Sequence, residues 1–176
     1  NSQFTTNNIS AKTGIKPFAN HLLKIQYQRN WSTDVGIPGG EAFPGPAEAT
    51  YSDIGRNLIN ASYDITNISD KLSSLQLSYF TQYILRDVSM KPNTVAETTL
   101  PNGLTQKTTP ELITPTGEHL THGGQLRSNW KLSEKNTLIA GADIWGRKLT
   151  TEREKYIRID VLNPAGQNVK TNNLER

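Results

Sequence analysis

The sequence predicts an all-β chain, an antiparallel up-and-down segment of a transmembrane β-barrel with about six strands in three hairpins. Three observations predict it. Apolar residues recur with a period of two, not 3.6, in every informative window. The alternating runs last about 9–13 residues, where a globular strand usually has about five or six. Short turns alternate with long polar loops, the plan of an outer-membrane barrel.

Taken in order, the first strand is faint: Ile9, Ala11, Thr13 and Ile15 oppose Asn8, Ser10, Lys12 and Gly14. Lys16 to Asn20 forms a short link. From His21 to Trp31, Leu23, Ile25, Tyr27, Arg29 and Trp31 oppose Lys24, Gln26, Gln28 and Asn30. A long polar loop is expected from Asp34 to Arg56. Ile59, Ala61, Tyr63 and Ile65 then oppose Asn60, Ser62 and Asp64, and "NISDK" at Asn67–Lys71 supplies a turn. The clearest run is Leu75 to Leu85, where Leu75, Leu77, Tyr79, Thr81, Tyr83 and Leu85 share a face. A second long loop is expected from Val88 to Glu118. From Leu120 to Leu132, alternation puts His122, Leu126 and Trp130 on the apolar side and Gln125, Arg127 and Asn129 on the polar side. "SEKN" at Ser133–Asn136 makes the third turn. Leu138, Ala140, Ala142 and Ile144 then share the apolar face, and the tail from Thr151 reads as a third long loop.

Composition agrees. Only 34% of residues are apolar, about 41% with the 13 glycines added, below the roughly half, counting glycine, of ordinary soluble domains. A sheet that is greasy on one face explains this better than disorder, because the aromatic and β-branched residues are regularly spaced. Trp31 lies near the loop end of its strand and Trp130 near the turn end, as members of two interfacial aromatic girdles would. The net charge of +3 is modest and the cations are scattered singly, so no nucleic-acid partner is expected. With no cysteine in the chain, a disulfide scaffold, a thiolate zinc site and a cysteine nucleophile are excluded. No stretch approaches the ~20 apolar residues of a membrane helix. That bears on helical spanning only.

The segments "LKIQYQRN" (Leu23–Asn30), "DVGIPGG" (Asp34–Gly40), "FPGPAEATYSDIGRNLINASYDI" (Phe43–Ile65) and "THGGQLRSNWKLSEKNTLIAGADIWGRKL" (Thr121–Leu149) resemble the barrel of TonB-dependent outer-membrane receptors. The resemblance covers most of the chain. It implies a 22-stranded parent barrel in the Gram-negative outer membrane, with a plug domain in its lumen. It further implies coupling to a TonB–ExbB–ExbD system, contact with outer-membrane lipid, and a ferric siderophore, haem or cobalamin-type cargo. Residues 1–176 would be a partial barrel domain cut from a longer protein, without plug or TonB box.

No catalytic residue or bound cofactor is expected. No serine sits in a GxSxG elbow, and the Gly-Gly pairs at 39–40 and 123–124 lack the Lys-Ser/Thr of a phosphate loop. His119, beside the end of the second long loop, is the candidate cargo-binding residue, since in haem-carrying relatives outward histidines can ligate iron. Alternation turns His122 away from the lumen. Asn163-Pro164 resembles part of a haem-receptor loop motif, from which "NPAG" departs. Asp53, Asp64 and Asp143 are expected on or near lumen-facing positions, and Arg153-Glu154-Lys155 as a solvated loop face. Two other readings compete: a soluble secreted β-rich binding module and a passive porin-like channel.

Overall fold

The computed structural model describes residues 4–37 and 48–176. They form eight strands: β1 (Thr5–Ile15), β2 (His21–Gly36), β3 (Glu48–Thr66), β4 (Leu72–Lys91), β5 (Ala96–Thr99), β6 (Thr105–Lys131), β7 (Thr137–Leu162) and β8 (Asn168–Glu175). All pairings are antiparallel, in the order β1-β2-β3-β4-β6-β7-β8, with β5 against β6. Each strand of the main path pairs with its sequence neighbour apart from the small β5 insertion. This is an up-and-down sheet, and it stays open.

Register decides which residues share a face, because cross-strand partners point to the same side. Ile15 pairs with Leu23 and Thr13 with Ile25. Tyr63 lies between Leu23 and Leu77, and Ile59 between Tyr27 and Thr81. Leu77 continues to Leu126 and Ala142. The six separately alternating apolar rows therefore fall on one face of one sheet. A slip of one residue in any hairpin would have turned that strand's row to the other side.

The described residues form a single layer. No hydrophobic side chain among the described residues is buried, and only Ser32 and Gly123 fall in the buried class. Leu77 is 57% exposed and Ile144 79% exposed, both on the apolar face. The accessible surface is 12532 Å² for 19.6 kDa. Size scaling for a compact monomer of that mass gives about 8,600 Å².

Three expectations are corrected. The expected loop Val88–Glu118 contains the end of β4, the β5–β6 hairpin and the first half of β6. Its threonines are good strand residues even where alternation is weak. The expected tail loop is mostly strand, since β7 runs to Leu162 and β8 returns against it. The expected loop Asp34–Arg56 shortens from both sides as β2 reaches Gly36 and β3 starts at Glu48; most of what remains of it lies outside the described residues. The strands are thus longer than predicted, 27 residues for β6 and 26 for β7.

Two prolines within β6 leave marks. The β4–β6 ladder passes from Asp87–Thr116 to Met90–Ile113 and skips Pro115, which has no N–H to offer. The β6–β7 register shifts between Pro110 and Leu112. Both added hairpins turn on an x-Pro-x-Gly sequence. In Leu100–Leu104 and Asn163–Gln167, the first residue's N–H donates to the last residue's carbonyl, at 2.7 and 2.9 Å. Gly103 and Gly166 both take φ of 79°. Proline sets the turn's φ and glycine supplies the left-handed position. The "NPAG" stretch is therefore accounted for as a hairpin turn.

Candidate functional site

The face opposite the apolar rows carries the polar chemistry. At its turn end, Lys24 Nζ lies 2.8 Å from Asp64 Oδ2, while Gln76 Nε2 donates to Asp64 Oδ1 at 2.5 Å. Both carboxylate oxygens are therefore held, Oδ2 by the Lys24 ammonium and Oδ1 by the Gln76 amide. These residues line a cavity of about 460 Å³ together with Arg127 and Asn129. Asn129 Nδ2 donates to Ser74 Oγ at 2.6 Å.

Midway along the strands, Gly123 pairs with Phe80 on one side and Trp145 on the other. A Cβ at Gly123 would stand 2.7 Å from the Ile144 carbonyl oxygen and from Trp145 Cβ, and 2.9 Å from Phe80 Cε1. Two aromatic side chains close over a bare backbone on the otherwise polar face. Leu58 and Asn60 join Phe80 and Trp145 in a neighbouring cleft of about 510 Å³.

At the outer end, three register rows assemble a second cleft. Arg86 pairs with Gly117, and Gly117 with Thr151. One step outward, Pro115 pairs with Arg153; one step inward, His119 lies between Ile84 and Leu149. The bulge between Tyr51 and Asp53 brings Tyr51 opposite Val88, onto this same face. Together they line about 460 Å³. A Cβ on Gly117 would meet nothing within 4 Å.

The predicted residues fare differently. His119 is half-buried on the polar face, but in the interior of β6 instead of beside a loop. His122 is on the apolar face, between Thr81 and Gly146. His21 Nδ1 hydrogen-bonds Tyr63 Oη at 2.8 Å, with the Phe18 ring edge-on at 5.3 Å, which anchors the first turn. The three histidines do not come together, and among the described residues no group of three or more His, Asp or Glu could hold a metal. Asp64 and Asp143 lie on the polar face. Asp53 does not: it pairs with Thr33 and Asp87 in the apolar-face rows, because no shift separates it from Gly55 and Ile59.

The sequence gives Arg86 and Tyr51 no binding role and puts Arg153-Glu154-Lys155 on a solvated loop face, whereas these three lie within β7. Two of the cleft residues had a signal. Arg86 continues the Gln76–Ile84 parity, and Arg153 continues that of Asp143 and Trp145. The apolar alternation stops short of both positions, so it marks neither as part of a strand. Tyr51 reaches this face only through the bulge, which alternation does not reveal.

Charge is sorted between the faces. The polar face carries Arg56, Arg86, Arg127, Arg147 and Arg153, with Lys12, Lys24, Lys131 and Lys155, against Asp64 and Asp143. The other face carries Glu48, Asp53, Asp87, Glu118, Glu152, Glu154 and Asp160, with Arg29, Lys91, Lys148 and Arg158 among its cations. Arg29 lies 4.7 Å over the Trp31 ring. Thr116 Oγ1 donates to Asp87 at 2.9 Å. No protein-family profile matches the chain, and no curated protein is significantly similar to it. What the arrangement offers is recognition, through guanidinium, imidazole and phenol groups around an open gap.

Proposed function

We propose that the chain is part of the membrane β-barrel of a TonB-dependent receptor in the Gram-negative outer membrane, taking up a metal chelate, porphyrin or corrin. The observation that carries the reading is the single-layer sheet whose six apolar rows coincide on one unburied face. On β4 the apolar rows run from Leu75 to Leu85, about 33 Å along the strand. At the usual strand tilt of about 40° this covers roughly 25 Å, the height of an outer-membrane barrel's apolar band. Lipid would cover that face, and the polar face would line a lumen holding the parent's plug domain. Both sheet edges, β1 and the inner half of β7, would pair with further strands, which removes the aggregation hazard of open edges.

The test is cell fractionation joined to uptake. The parent protein is expected in the outer-membrane fraction, with cargo uptake lost when TonB is deleted. Recovery as a monodisperse soluble protein without detergent would instead favour a secreted β-rich binding module. Outer-membrane residence with uptake indifferent to TonB would favour a passive channel.

A further inference from the structure

We infer that the outer cleft around Gly117 is a binding site for a small oxyanion-bearing cargo, one presenting carboxylate or phosphate groups; this rests on the barrel reading for its location and deepens it. Arg86 and Arg153 approach the gap from the two strands flanking β6. Neither has a carboxylate within ion-pair distance among the described residues; Arg56, Arg127 and Arg147 on the same face share that freedom, and what sets Arg86 and Arg153 apart is that both line one gap. Exposed cations without partners at an open cleft are available to an external anion. Guanidinium groups fit the need, because they grip carboxylate or phosphate oxygens through two parallel N–H bonds.

Gly117 supplies the room. Adjacent strands lie about 4.8 Å apart, so Arg86 and Thr151 stand roughly 10 Å apart across a position with no side chain. Thr151, His119 and Tyr51 can contribute hydroxyl, imidazole and phenol donors at the edges. Glu152 is the carboxylate at the rim, and by register it belongs to the opposite face. The cleft opens on the face away from the apolar rows, so a lipid phosphate is the wrong source and a soluble anion the right one. The sorting of charge points the same way. The face with five arginines attracts anions, and the acidic collar on the other face repels them from the outside wall.

The experiment is isothermal titration of the full-length protein, delipidated in neutral detergent, with citrate, pyrophosphate and uncharged glycerol. Citrate or pyrophosphate should bind and glycerol should not. Arg86→Gln and Arg153→Gln should each weaken binding about tenfold or more, as expected for loss of a charge-assisted bond. Gly117→Val should abolish binding with every charge kept. Arg147→Gln, on the same face but outside the cleft, should leave it unchanged. Absence of binding by either anion, binding only when phosphorylated lipid is restored, or equal loss in Arg147→Gln would overturn the site. A soluble protein that still binds through Arg86 and Arg153 would keep the site and overturn the barrel. An outer-membrane protein that binds neither anion would do the reverse.

Discussion

Leu77 and Ser78 are neighbours in sequence and face opposite surroundings. Leu77 sits between Tyr63 and Leu126 on the apolar face, Ser78 between Ser62 and Gln125 on the polar one. Leu77→Arg should cost roughly 2–4 kcal/mol near the middle of a bilayer, whereas Ser78→Arg should be close to neutral. Urea unfolding in lipid vesicles would measure both, and equal losses would contradict the facing. Beyond the apolar band, Asp160 accepts from Thr171 Oγ1 at 2.7 Å, from Arg158 Nε at 3.1 Å and from Asn168 Nδ2 at 3.2 Å. The Thr171 hydrogen bond, followed by the Arg158 charge, outweighs burial and holds its carboxyl below the ordinary 3.8. A lowered folded-state value means this contribution to the β7–β8 hairpin is present above the unfolded pKa. It is lost as pH falls through the folded one. A carboxyl-carbon NMR titration should place Asp160 below 3.8, and Thr171→Val should move it up.

At the scale of elements, alternation located six strands and their faces but stopped them short. It fails where Thr and Pro replace the apolar partners, as from Thr105 to Thr116, and there turn chemistry is the better guide. Two x-Pro-x-Gly turns mark the β5–β6 and β7–β8 hairpins. Gly166→Ala should therefore cost about 1–2 kcal/mol, from a left-handed backbone that alanine resists. The loss should appear as selective loosening of β8 in hydrogen exchange. Glycines within strands divide by what surrounds them. Gly123→Val forces apart Trp145, Phe80 and the β7 backbone, so the yield of folded protein should fall sharply. Normal yield would contradict the close packing at that row. The candidate site was only partly legible. His119 could be named from its residue type, but the arginines around Gly117 become neighbours only through the registers of β4, β6 and β7.

For the whole molecule, the sequence carried the sidedness of the sheet because sidedness is a local, period-two property. It did not carry the extent of the sheet beyond the apolar rows, where nothing hydrophobic marks the strands. A sheet of this length with no buried hydrophobic side chain among its described residues needs a cover for its apolar face from beyond those residues, and the central proposal is that lipid supplies it. The chain has no cysteine, so a single cysteine placed in it is the one labelling site within these 176 residues. The decisive measurement is oxygen against nickel-chelate accessibility for labels at each position from Leu75 to Leu85, with the protein in lipid vesicles. A period of two is predicted, with Leu75, Leu77, Tyr79, Thr81 and Tyr83 open to oxygen and shielded from the chelate, and Gln76, Ser78 and Gln82 not. Uniform access of the chelate to both sets would contradict it.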